Sequence, residues 1–271
     1  MSVVIATKNA ETHIAQCLES LKRQTYQPIE VIVVDNYSTD KTIEIAKKYT
    51  LRVYSLGPER STQKNFGSNK IATGKYLLFL DSDMTVSKNL IRTCVAKMEQ
   101  DSEIIGLYIR EVVTGKSFWS RVRRFERSFY NATVIDGLRF LRRNIFIKSG
   151  GFDEKLYACE DWDLDKRIKK YGRADFISSP LFHNESKFDI KQYLDKKGYY
   201  STNFNVYINK WGKDDPDIHR QFGPGYRLFG VFVEDGKWKK LLEDPILTVC
   251  MLFLRVLAGW KYFVIRLKVD L

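Results

Sequence analysis

Apolar runs alternate with amphipathic segments along the first 110 residues. The runs are short, continuous and rich in β-branched residues, which is typical of strands buried on both faces of a parallel sheet. The segments between them repeat apolar residues at helical spacing, as Ile14, Leu18 and Leu21 do. The pattern predicts an α/β fold with a mostly parallel central sheet flanked by helices. The predicted strands are 2–7, 30–35, 51–56 and 76–81, and the predicted helices are 13–24, 39–49, 60–71 and 87–99.

The alternation loosens after residue 102, although further elements are still recognisable. No internal repeat or low-complexity linker interrupts the chain. We therefore expect one domain over 1–212, with halves 1–110 and 111–212, followed by a C-terminal extension over 213–271. The later predictions are a strand over 104–113, a basic aromatic helix over 118–130, a strand within 138–153 that leads into a Gly-Gly turn, a helix over 160–172, a strand over 175–185 and a long helix over 187–211.

The segment 245–267 is strongly apolar but is interrupted by Arg255 and Lys261. A membrane-spanning helix would place Arg255 near the centre of the bilayer, where a charge is costly. No run of eighteen uncharged apolar residues occurs, so an ordinary spanning helix is not expected. The pattern predicts an amphipathic helix at a membrane surface, with Trp260 and Tyr262 at the headgroups. The alternative is a helix that packs against the domain or against a partner chain.

Charge is concentrated in two segments of a chain whose formal net charge is +12. The segment 116–148 holds nine Lys and Arg against two acids, and the residues from 237 onward hold seven against three. Local positive charge indicates a phosphate-bearing substrate, a polyanion or an anionic membrane surface, and a solvated surface is the plain alternative. No nucleic-acid-binding motif accompanies the basic and aromatic helix 118–130, so nucleic acid is not an expected partner.

The four cysteines lack the paired spacing of a zinc site or a disulfide framework, so a reducing compartment is expected. No signal peptide is recognised before the first strand at Ser2, and we expect a cytoplasmic location.

Two carboxylates, Asp81 and Asp83, follow the most hydrophobic predicted strand and are separated only by Ser82. Such a turn brings both carboxylates towards one point, where Mg²⁺ or Mn²⁺ prefers oxygen ligands. The same tripeptide also arises in ordinary surface turns. Thr7 and Asp35 end neighbouring predicted strands, and ligands of parallel sheets collect at these carboxyl ends. We therefore expect Thr7, Asp35 and Asp81 to lie close together.

Four ordered segments resemble family 2 glycosyltransferases of the GT-A fold, over roughly residues 2–185. They are "SVVIATKNAETHIAQCLESLKRQTY", "IEVIVVDNYSTDKT", "GPERSTQKNFGSNKIATGKYLLFLDSD" and "GGFDEKLYACEDWDL". The resemblance implies inverting transfer of a hexosyl group from a nucleotide-diphospho-sugar, with UDP favoured over GDP and with Mn²⁺ or Mg²⁺ as cofactor. It also implies a nucleotide-binding half over 1–110 and an acceptor-side half over 111–212.

The resemblance assigns roles to individual residues of this sequence. Lys64 stands where the family more often has arginine, which keeps the charge but loses the bidentate fork. Asn36 replaces the usual second acid of its motif, which leaves the identity of the base more open. The implied donor-binding residues are Thr7, Asn9 and Asp35 for the base and ribose, Arg60, Lys64 and Asn65 for the diphosphate, and Asp81 with Ser82 at the turn.

The resemblance also implies a metal site of Asp81, Asp83 and His183, although a lone histidine such as His183 is often structural. Asp161 matches the catalytic base, which removes the proton of the acceptor hydroxyl during inverting transfer. Glu160 and Trp162 are implied on the acceptor side. Asp163 and Asp165 have the spacing of helical ion pairs with Arg167 and Lys169 and are expected to be solvated or paired.

The sequence thus predicts an inverting, metal-dependent glycosyltransferase at the cytoplasmic face of a membrane, with a lipid-linked or membrane-associated glycan as acceptor. The basic segments and residues 245–271 are the predicted membrane contacts. One alternative is a soluble enzyme that modifies a polysaccharide or a protein. Another is a non-catalytic subunit that binds a nucleotide-sugar and recruits a partner through its C-terminal helix. A dehydrogenase is not expected, because no G-x-G-x-x-G follows the first strand.

Overall fold

The central sheet is described by a computed structural model that covers residues 1–269. Within this part of the chain, eight strands form one sheet in the order β3-β2-β1-β4-β7-β6-β8-β5. The strands are β1 Ser2–Thr7, β2 Glu30–Asp35, β3 Val53–Ser55, β4 Tyr76–Asp81, β5 Met84–Val86, β6 Ile104–Thr114, β7 Phe140–Arg142 and β8 Arg173–Asn184.

The four strands predicted in the first half are present, and they pair in parallel with β1 at the centre of the group. Thr7 lies beside Asp35 in this register, and Ala6 lies beside Asp81. The predicted meeting of polar residues at the carboxyl ends of the strands is therefore present in the backbone. β5 was not predicted. It follows Asp83 directly and pairs antiparallel with β8, so that Met84 lies opposite His183.

Two predicted elements differ from what is observed. The segment 138–153 was predicted as a strand, but only Phe140–Arg142 is extended and the chain then turns into a helix. A short apolar run does not distinguish a strand from a helix by periodicity, and here Ile147 is exposed while Phe146 is buried. The helices are α1 Ile14–Lys22, α2 Thr42–Lys47, α3 Arg60–Phe66, α4 Leu90–Gln100, α5 Phe118–Arg127, α6 Arg143–Lys148, α7 Glu160–Ile168, α8 Ile190–Ser201, α9 Phe204–Trp211, α10 Pro216–Phe222, α11 Val231–Val233, α12 Trp238–Glu243 and α13 Pro245–Val269, with π-helical turns at Gly67–Ile71 and Tyr226–Gly230 and 3₁₀ turns at Lys169–Tyr171 and Glu234–Gly236.

The long helix predicted over 187–211 is also divided, into α8 and α9. The Thr202 amide bonds to the Tyr199 carbonyl and the Asn203 amide to the Tyr200 carbonyl, which is the tighter pattern of a helix end. The Thr202 hydroxyl donates to the same Tyr199 carbonyl at 2.7 Å. These bonds satisfy carbonyls at the end of α8, and the next helix, α9, begins at Phe204.

Two hydrophobic clusters cover the two faces of β1 and include residues as late in the chain as Ile168 and Leu181. Val3 and Ile5 belong to one cluster and Val4 to the other, because alternate side chains of a strand point to opposite faces. Both faces of β1 are fully buried. The prediction of strands covered on both faces is confirmed.

The chain divides into two compact units. Unit 1 consists of Met1–Glu111 with Gly137–His183, and unit 2 consists of Val112–Asp136 with the chain from Asn184 onward. The predicted boundary at residue 212 came from the pattern of elements along the chain, and the assignment of functional domains stays a prediction.

The helix α13 in unit 2 has two apolar faces with different surroundings. Leu247, Met251 and Leu254 are buried on one face. The opposite face is exposed and carries Ile246, Val249, Phe253, Val256, Trp260 and Phe263. By length and composition alone, Pro245–Ile265 is long and apolar enough to cross a membrane, with a mean hydropathy of 1.6 and 17% of its most apolar window buried.

The charge that argued against a spanning helix is not on the exposed face of α13. Arg255 is buried and lies 2.9 Å from Glu126. The sequence argument that excluded a span, a charge facing lipid at Arg255, therefore does not hold. The last residues of the predicted membrane segment 245–271, residues 270 and 271, lie outside the described residues.

Candidate active site

The ends of β1 and β2 are joined by a buried carboxylate. Asp35 accepts a hydrogen bond from the Thr7 hydroxyl at 2.8 Å, and from the Ser38 amide at 2.7 Å and hydroxyl at 2.5 Å. The Asn9 side-chain oxygen accepts from the Thr39 amide at 2.9 Å. The structure thus uses Thr7, Asn9 and Asp35 to hold the loop after β2. Their contact with a base or ribose stays a prediction.

The helix α3 presents two cations to the first turn of α7. Arg60 and Lys64 are four residues apart and therefore lie on one face of the helix. Arg60 is 3.2 Å from Glu160, and Lys64 is 3.6 Å from Asp161. Lys64 is 2% exposed and its ammonium group lies 4.9 Å from the centre of the Phe152 ring. A lysine so enclosed is placed by its surroundings, unlike a solvated surface lysine.

The neighbouring Asn65 serves the loop between α6 and α7. Its amide nitrogen donates to the Phe152 carbonyl and to Glu154, both at 2.9 Å, and its oxygen accepts from the Phe152 amide at 2.8 Å. Both ends of the side chain are engaged, so the structure gives Asn65 the task of fixing the segment that carries Phe152. Its predicted contact with the diphosphate is not tested by this arrangement.

The carboxylate of Asp81 lies in a strongly positive environment. Burial alone would raise the pKa of Asp81, but Lys64, Arg139 and Arg60 more than offset it and hold the pKa well below its usual range. Arg139 is the nearest of these, with 3.8 Å between its guanidinium and the carboxylate. Asp81 is therefore ionised, and three cations gather where the sequence predicted the diphosphate. Ser82 lies in the turn that follows and is half-buried.

The second carboxylate, Asp83, meets His183 because β5 pairs with β8 directly after it. Asp83 Oδ2 lies 3.3 Å from His183 Nε2, and Glu111 Oε1 lies 3.0 Å from His183 Nδ1. Burial disfavours a charged ring, but hydrogen bonds to Asp83 and Glu111 outweigh it and raise the pKa of His183 to about 10.

A divalent cation fits the Asp83 and His183 pair. Asp83 Oδ1 is buried and accepts no hydrogen bond. A carboxylate oxygen without a donor suits Mn²⁺ or Mg²⁺, and His183 Nε2 would join it as a ligand once the cation displaces the proton of the ring. Within residues 1–269, no three His, Cys, Asp or Glu side chains are grouped closely enough to hold a metal by themselves. The share of Asp81 in metal binding stays a prediction.

The helix α7 carries the predicted base and acceptor-side residues. The side chain of Asp161 is 42% exposed. Glu160 is buried, and burial together with the neighbouring Asp161 raises its pKa. Trp162 is half-buried. Asp163 is fully buried and paired with Arg167 at 2.8 Å. Asp165 pairs with Lys169 at 2.8 Å. Of the two expected states, solvated or paired, the structure shows pairing for both acids.

Three polar residues of this region were missed by sequence reasoning: the buried Glu111 and Gln63 and the half-buried Arg139. Glu111 bonds both His183 and Arg139, the latter at 2.9 Å. Gln63 donates to the carbonyls of Thr7 and Val34, and so ties the ends of β1 and β2 together. A single acid in the apolar run 104–113 was a usable signal for Glu111, because a buried carboxylate requires a partner. No local sequence pattern indicated a role for Arg139 or Gln63.

Comparisons with known proteins agree with this architecture. The profile of the family described as Glycosyl transferase family 2 matches residues 2–153, more than half of the chain. The minor teichoic acid biosynthesis protein GgaB of Bacillus subtilis (strain 168) is 27% identical over 270 residues, which cover 90% of this chain and 29% of GgaB. The chain spans about a third of the length of GgaB and of two further curated relatives.

Two solved structures share the fold at low sequence identity. TarS 1–349 of S. aureus in complex with UDP-GlcNAc has a TM-score of 0.58 at 17% identity, covering 99% of this chain and 91% of that one. The mannosyltransferase PcManGT of Pyrobaculum calidifontis, in complex with GDP-Man and Mn²⁺, has a TM-score of 0.63 at 16% identity, covering 97% and 86%. The predicted GT-A fold is confirmed, and the chain belongs to glycosyl transferase family 2.

Proposed function

We propose that this glycosyltransferase moves a hexosyl group, with inversion, from a UDP-sugar to a hydroxyl or phosphate of a lipid-linked or membrane-associated glycan. The observation that carries the proposal is the placement of Lys64. One buried ammonium group lies 3.6 Å from Asp161, the predicted base, and contributes to the low pKa of Asp81, the first carboxylate of the metal motif. A buried cation between these two acids supports a diphosphate site next to the reacting centre.

The cations of α3 would meet the negative charge of the diphosphate when a donor binds. The diphosphate of a nucleotide-sugar brings negative charge, and Arg60 and Lys64 are already held in place for it by Glu160 and Asp161. Preorganised charges of this kind stabilise a leaving group without the cost of reorganisation. If the Lys64 ammonium group moved from Asp161 to a phosphate oxygen of the donor, the Asp161 carboxylate would be free to accept the proton of the acceptor hydroxyl.

The carboxylate of Asp161 suits the base because it is partly open to solvent, whereas Glu160 is buried beside Arg60. In an inverting transfer, the acceptor oxygen forms a bond to the anomeric carbon as the bond to the diphosphate breaks. Asp161 accepts the proton that the acceptor hydroxyl loses.

Asp83 and His183 would hold a divalent cation, with Asp81 as a further candidate. When bound, such a cation neutralises charge on the departing diphosphate. Binding of Mn²⁺ by the structural neighbour PcManGT supports this cofactor.

The donor base and the membrane are supported by different observations. TarS binds UDP-GlcNAc and PcManGT binds GDP-Man, and we favour UDP. The exposed apolar face of α13 supports a peripheral position at the cytoplasmic face of a membrane. The name of GgaB, a protein of teichoic acid biosynthesis, is consistent with a cell-surface glycan as the product.

Two alternatives remain to be separated by experiment. A soluble enzyme that modifies polysaccharide or protein would transfer sugar without lipid. A non-catalytic nucleotide-sugar-binding subunit would bind donor and transfer nothing. The cations placed beside both Asp81 and Asp161 favour catalysis over binding alone.

The test combines donor binding with transfer. Wild type is titrated calorimetrically with UDP-, GDP- and dTDP-sugars, with Mn²⁺ and with EDTA, and donor consumption is followed with lipid-extract acceptors. We expect Asp161→Asn to bind donor and lose transfer, Asp83→Asn to lose the metal-dependent part of binding, and Lys64→Met to weaken donor binding about tenfold, the loss of one charged hydrogen bond. Glu44→Gln, at the exposed surface of α2, is the control.

Equal transfer by wild type and Asp161→Asn would remove Asp161 from the role of base. Donor binding that is unaffected by EDTA would contradict the metal requirement.

A further inference from the structure

Unit 2 contains a group of buried and half-buried cations around one buried carboxylate, and none of these residues is among those assigned to the donor. Glu126 on α5 is 1% exposed and accepts hydrogen bonds from Arg123, Arg255 and the Tyr130 hydroxyl. Arg255 comes from α13, and its contact with Glu126 is 2.9 Å long. Arg123 also forms two contacts with Glu185, at 3.1 and 3.2 Å.

Two further cations join this cluster. Lys197 on α8 and Arg123 lie 5.4 and 5.0 Å from the centre of the same ring, that of Tyr193. Arg227, in the π-helical turn Tyr226–Gly230, is close enough to repel both Lys197 and Arg255. We refer to Arg123, Lys197, Arg227 and Arg255 as the cation cluster.

The carboxylates of unit 2 do not balance the cation cluster. When Lys197 is protonated, the four cations face the two carboxylates Glu126 and Glu185, which leaves an excess of two positive charges. Among the described residues, neither Lys197 nor Arg227 forms an ion pair, and Arg255 Nε is buried without a hydrogen-bond partner. Buried charge without compensation is strongly unfavourable.

The pKa of Lys197 reflects the same excess of positive charge. Burial, followed by repulsion from Arg123 and Arg227, lowers the pKa of Lys197 to about 7. Burial likewise lowers the pKa of Arg227, with Arg255 adding to the effect. An anion within the cation cluster would reverse these penalties.

We propose that the cation cluster of unit 2 is a binding site for a phosphate group. A phosphate monoester carries about −1.5 to −2 charges near neutral pH, which matches the excess of two positive charges. Arginine guanidinium groups bind phosphate oxygens through paired N–H donors, and lysine binds them as a point charge. The unpartnered Arg255 Nε and the unpaired Lys197 and Arg227 supply the donors.

The phosphate can come from a membrane lipid or from a soluble compound, and α13 favours the lipid. The same helix carries Arg255 on its buried side and an apolar surface on its exposed side. A lipid whose chains cover the exposed apolar surface and whose phosphate enters the cation cluster would use both sides of this helix. This binding site does not depend on the proposed transfer reaction.

The test uses the full chain in EDTA, so that metal-dependent donor-site binding is absent. Thermal unfolding is measured with inorganic phosphate and glycerol 3-phosphate against sodium chloride of equal ionic strength. Flotation is measured with phosphatidylcholine vesicles with and without phosphatidic acid. Lys197→Met and Arg227→Met remove one charge each, Lys191→Met changes an exposed lysine of the same helix, and Lys64→Met removes the cation of the donor site.

We expect phosphate to raise the melting temperature of wild type, Lys191→Met and Lys64→Met more than chloride does. Lys197→Met and Arg227→Met are expected to require about tenfold more phosphate, the loss of one charge-assisted hydrogen bond. A response to phosphatidic acid vesicles identifies a lipid as the source, and a response to the soluble anions alone identifies a soluble phosphate. The proposal is overturned if wild type responds to neither, or if Lys197→Met and Arg227→Met respond as wild type does.

Discussion

At the scale of single residues, long-range contacts decide how the acids of the site behave. Asp81 and Asp83 are two residues apart, yet Asp81 lies among Lys64, Arg139 and Arg60 while Asp83 faces His183. Opposite charges nearby favour the ionised form of a carboxylate. One carboxylate of the motif is therefore balanced by the protein, and the other keeps a free oxygen.

Glu111 is a positioning residue for His183. We predict that Glu111→Gln weakens Mn²⁺ binding about tenfold, because the carboxylate that fixes the ring through Nδ1 orients Nε2 towards a metal. Electron paramagnetic resonance of free Mn²⁺ measures this binding without donor or turnover. Glu99→Gln, an exposed acid of α4, is the control.

A purely structural Glu111 would lower the melting temperature and leave the Mn²⁺ affinity of the folded fraction unchanged. That result would contradict the prediction.

The residues that sequence reasoning recovered are those with a local signal. The carboxyl ends of β1, β2 and β4 were predictable because a parallel register follows from continuous apolar runs. Glu111 and Arg139 were not, because the contacts of Glu111 with His183 and Arg139 depend on the pairing of strands far apart in the chain. Asn65 was predicted at the phosphate and found on the backbone of Phe152, since an amide suits both tasks equally.

At the scale of elements, the first turn of α7 is held in place by a close approach to Gly137. A Cβ atom at Gly137 would lie 2.9 Å from the Asp161 Cβ, which is closer than side chains tolerate. The element that carries the predicted base is thus packed directly on a glycine. Neither the Gly-Gly turn nor the acidic motif in the sequence predicts this contact between Gly137 and Asp161.

We predict that Gly137→Ala reduces transfer about tenfold and donor affinity by less, because a displaced Asp161 misplaces the base, whereas Lys64 is also held by its buried position beside Phe152. Steady-state rates and calorimetric donor affinities separate the two effects. Gly259→Ala, where an added Cβ meets nothing within 4 Å, is the matched control. An unchanged transfer rate in Gly137→Ala would show that α7 adjusts without cost.

The helix α8 contributes a group whose titration can be followed. The pKa of Lys197 is about 7 in the folded chain and that of a free lysine is 10.5. Between these values the unfolded chain holds a proton that the folded chain has released, so this group makes folding more favourable as pH rises. The charged groups facing it are Arg123, Arg227, Glu126 and Lys196. Glu126, whose pKa the nearby Arg123 and Arg255 lower to about 2 against the effect of burial, does not titrate in this window.

We predict that Lys197→Met raises the melting temperature most at pH 6.5 and by less at pH 9.5, because the removed charge is costly only while it is protonated. Melting is followed by circular dichroism in buffers free of phosphate. Lys191→Met is expected to show no such dependence. If the melting temperatures of Lys197→Met and wild type differed by the same amount at pH 6.5 and pH 9.5, Lys197 would not be the group that titrates between these values.

At the scale of the whole molecule, the sequence supplied the family, the sheet and the apolar C-terminal helix. Its account of that helix was incomplete in one respect. Arg255 was taken as a charge that lipid would have to accommodate, whereas the structure pairs it with Glu126 inside unit 2. Whether an arginine in an apolar helix faces lipid or a buried acid depends on a partner more than a hundred residues away, at Glu126.

The exposed side of α13 can be tested without removing the helix. Truncation at residue 245 would also remove Met251, Leu254 and Arg255 from the interior of unit 2, and would confuse unfolding with loss of membrane contact. Phe253→Glu and Trp260→Glu change only the exposed side, where these residues are 52% and 65% exposed. We predict that the double variant loses at least about tenfold in flotation with anionic vesicles, because two apolar anchors are replaced by charges that membranes repel.

The double variant is expected to keep its melting temperature and its binding of a soluble nucleotide-sugar, since neither side chain is buried. Tyr37→Glu, an exposed aromatic of unit 1, is the control and is expected to float as wild type does. Equal flotation of the double variant and wild type would reject the membrane surface. The exposed face of α13 would then be assigned to a partner chain, and sedimentation of the two proteins would show the lost association.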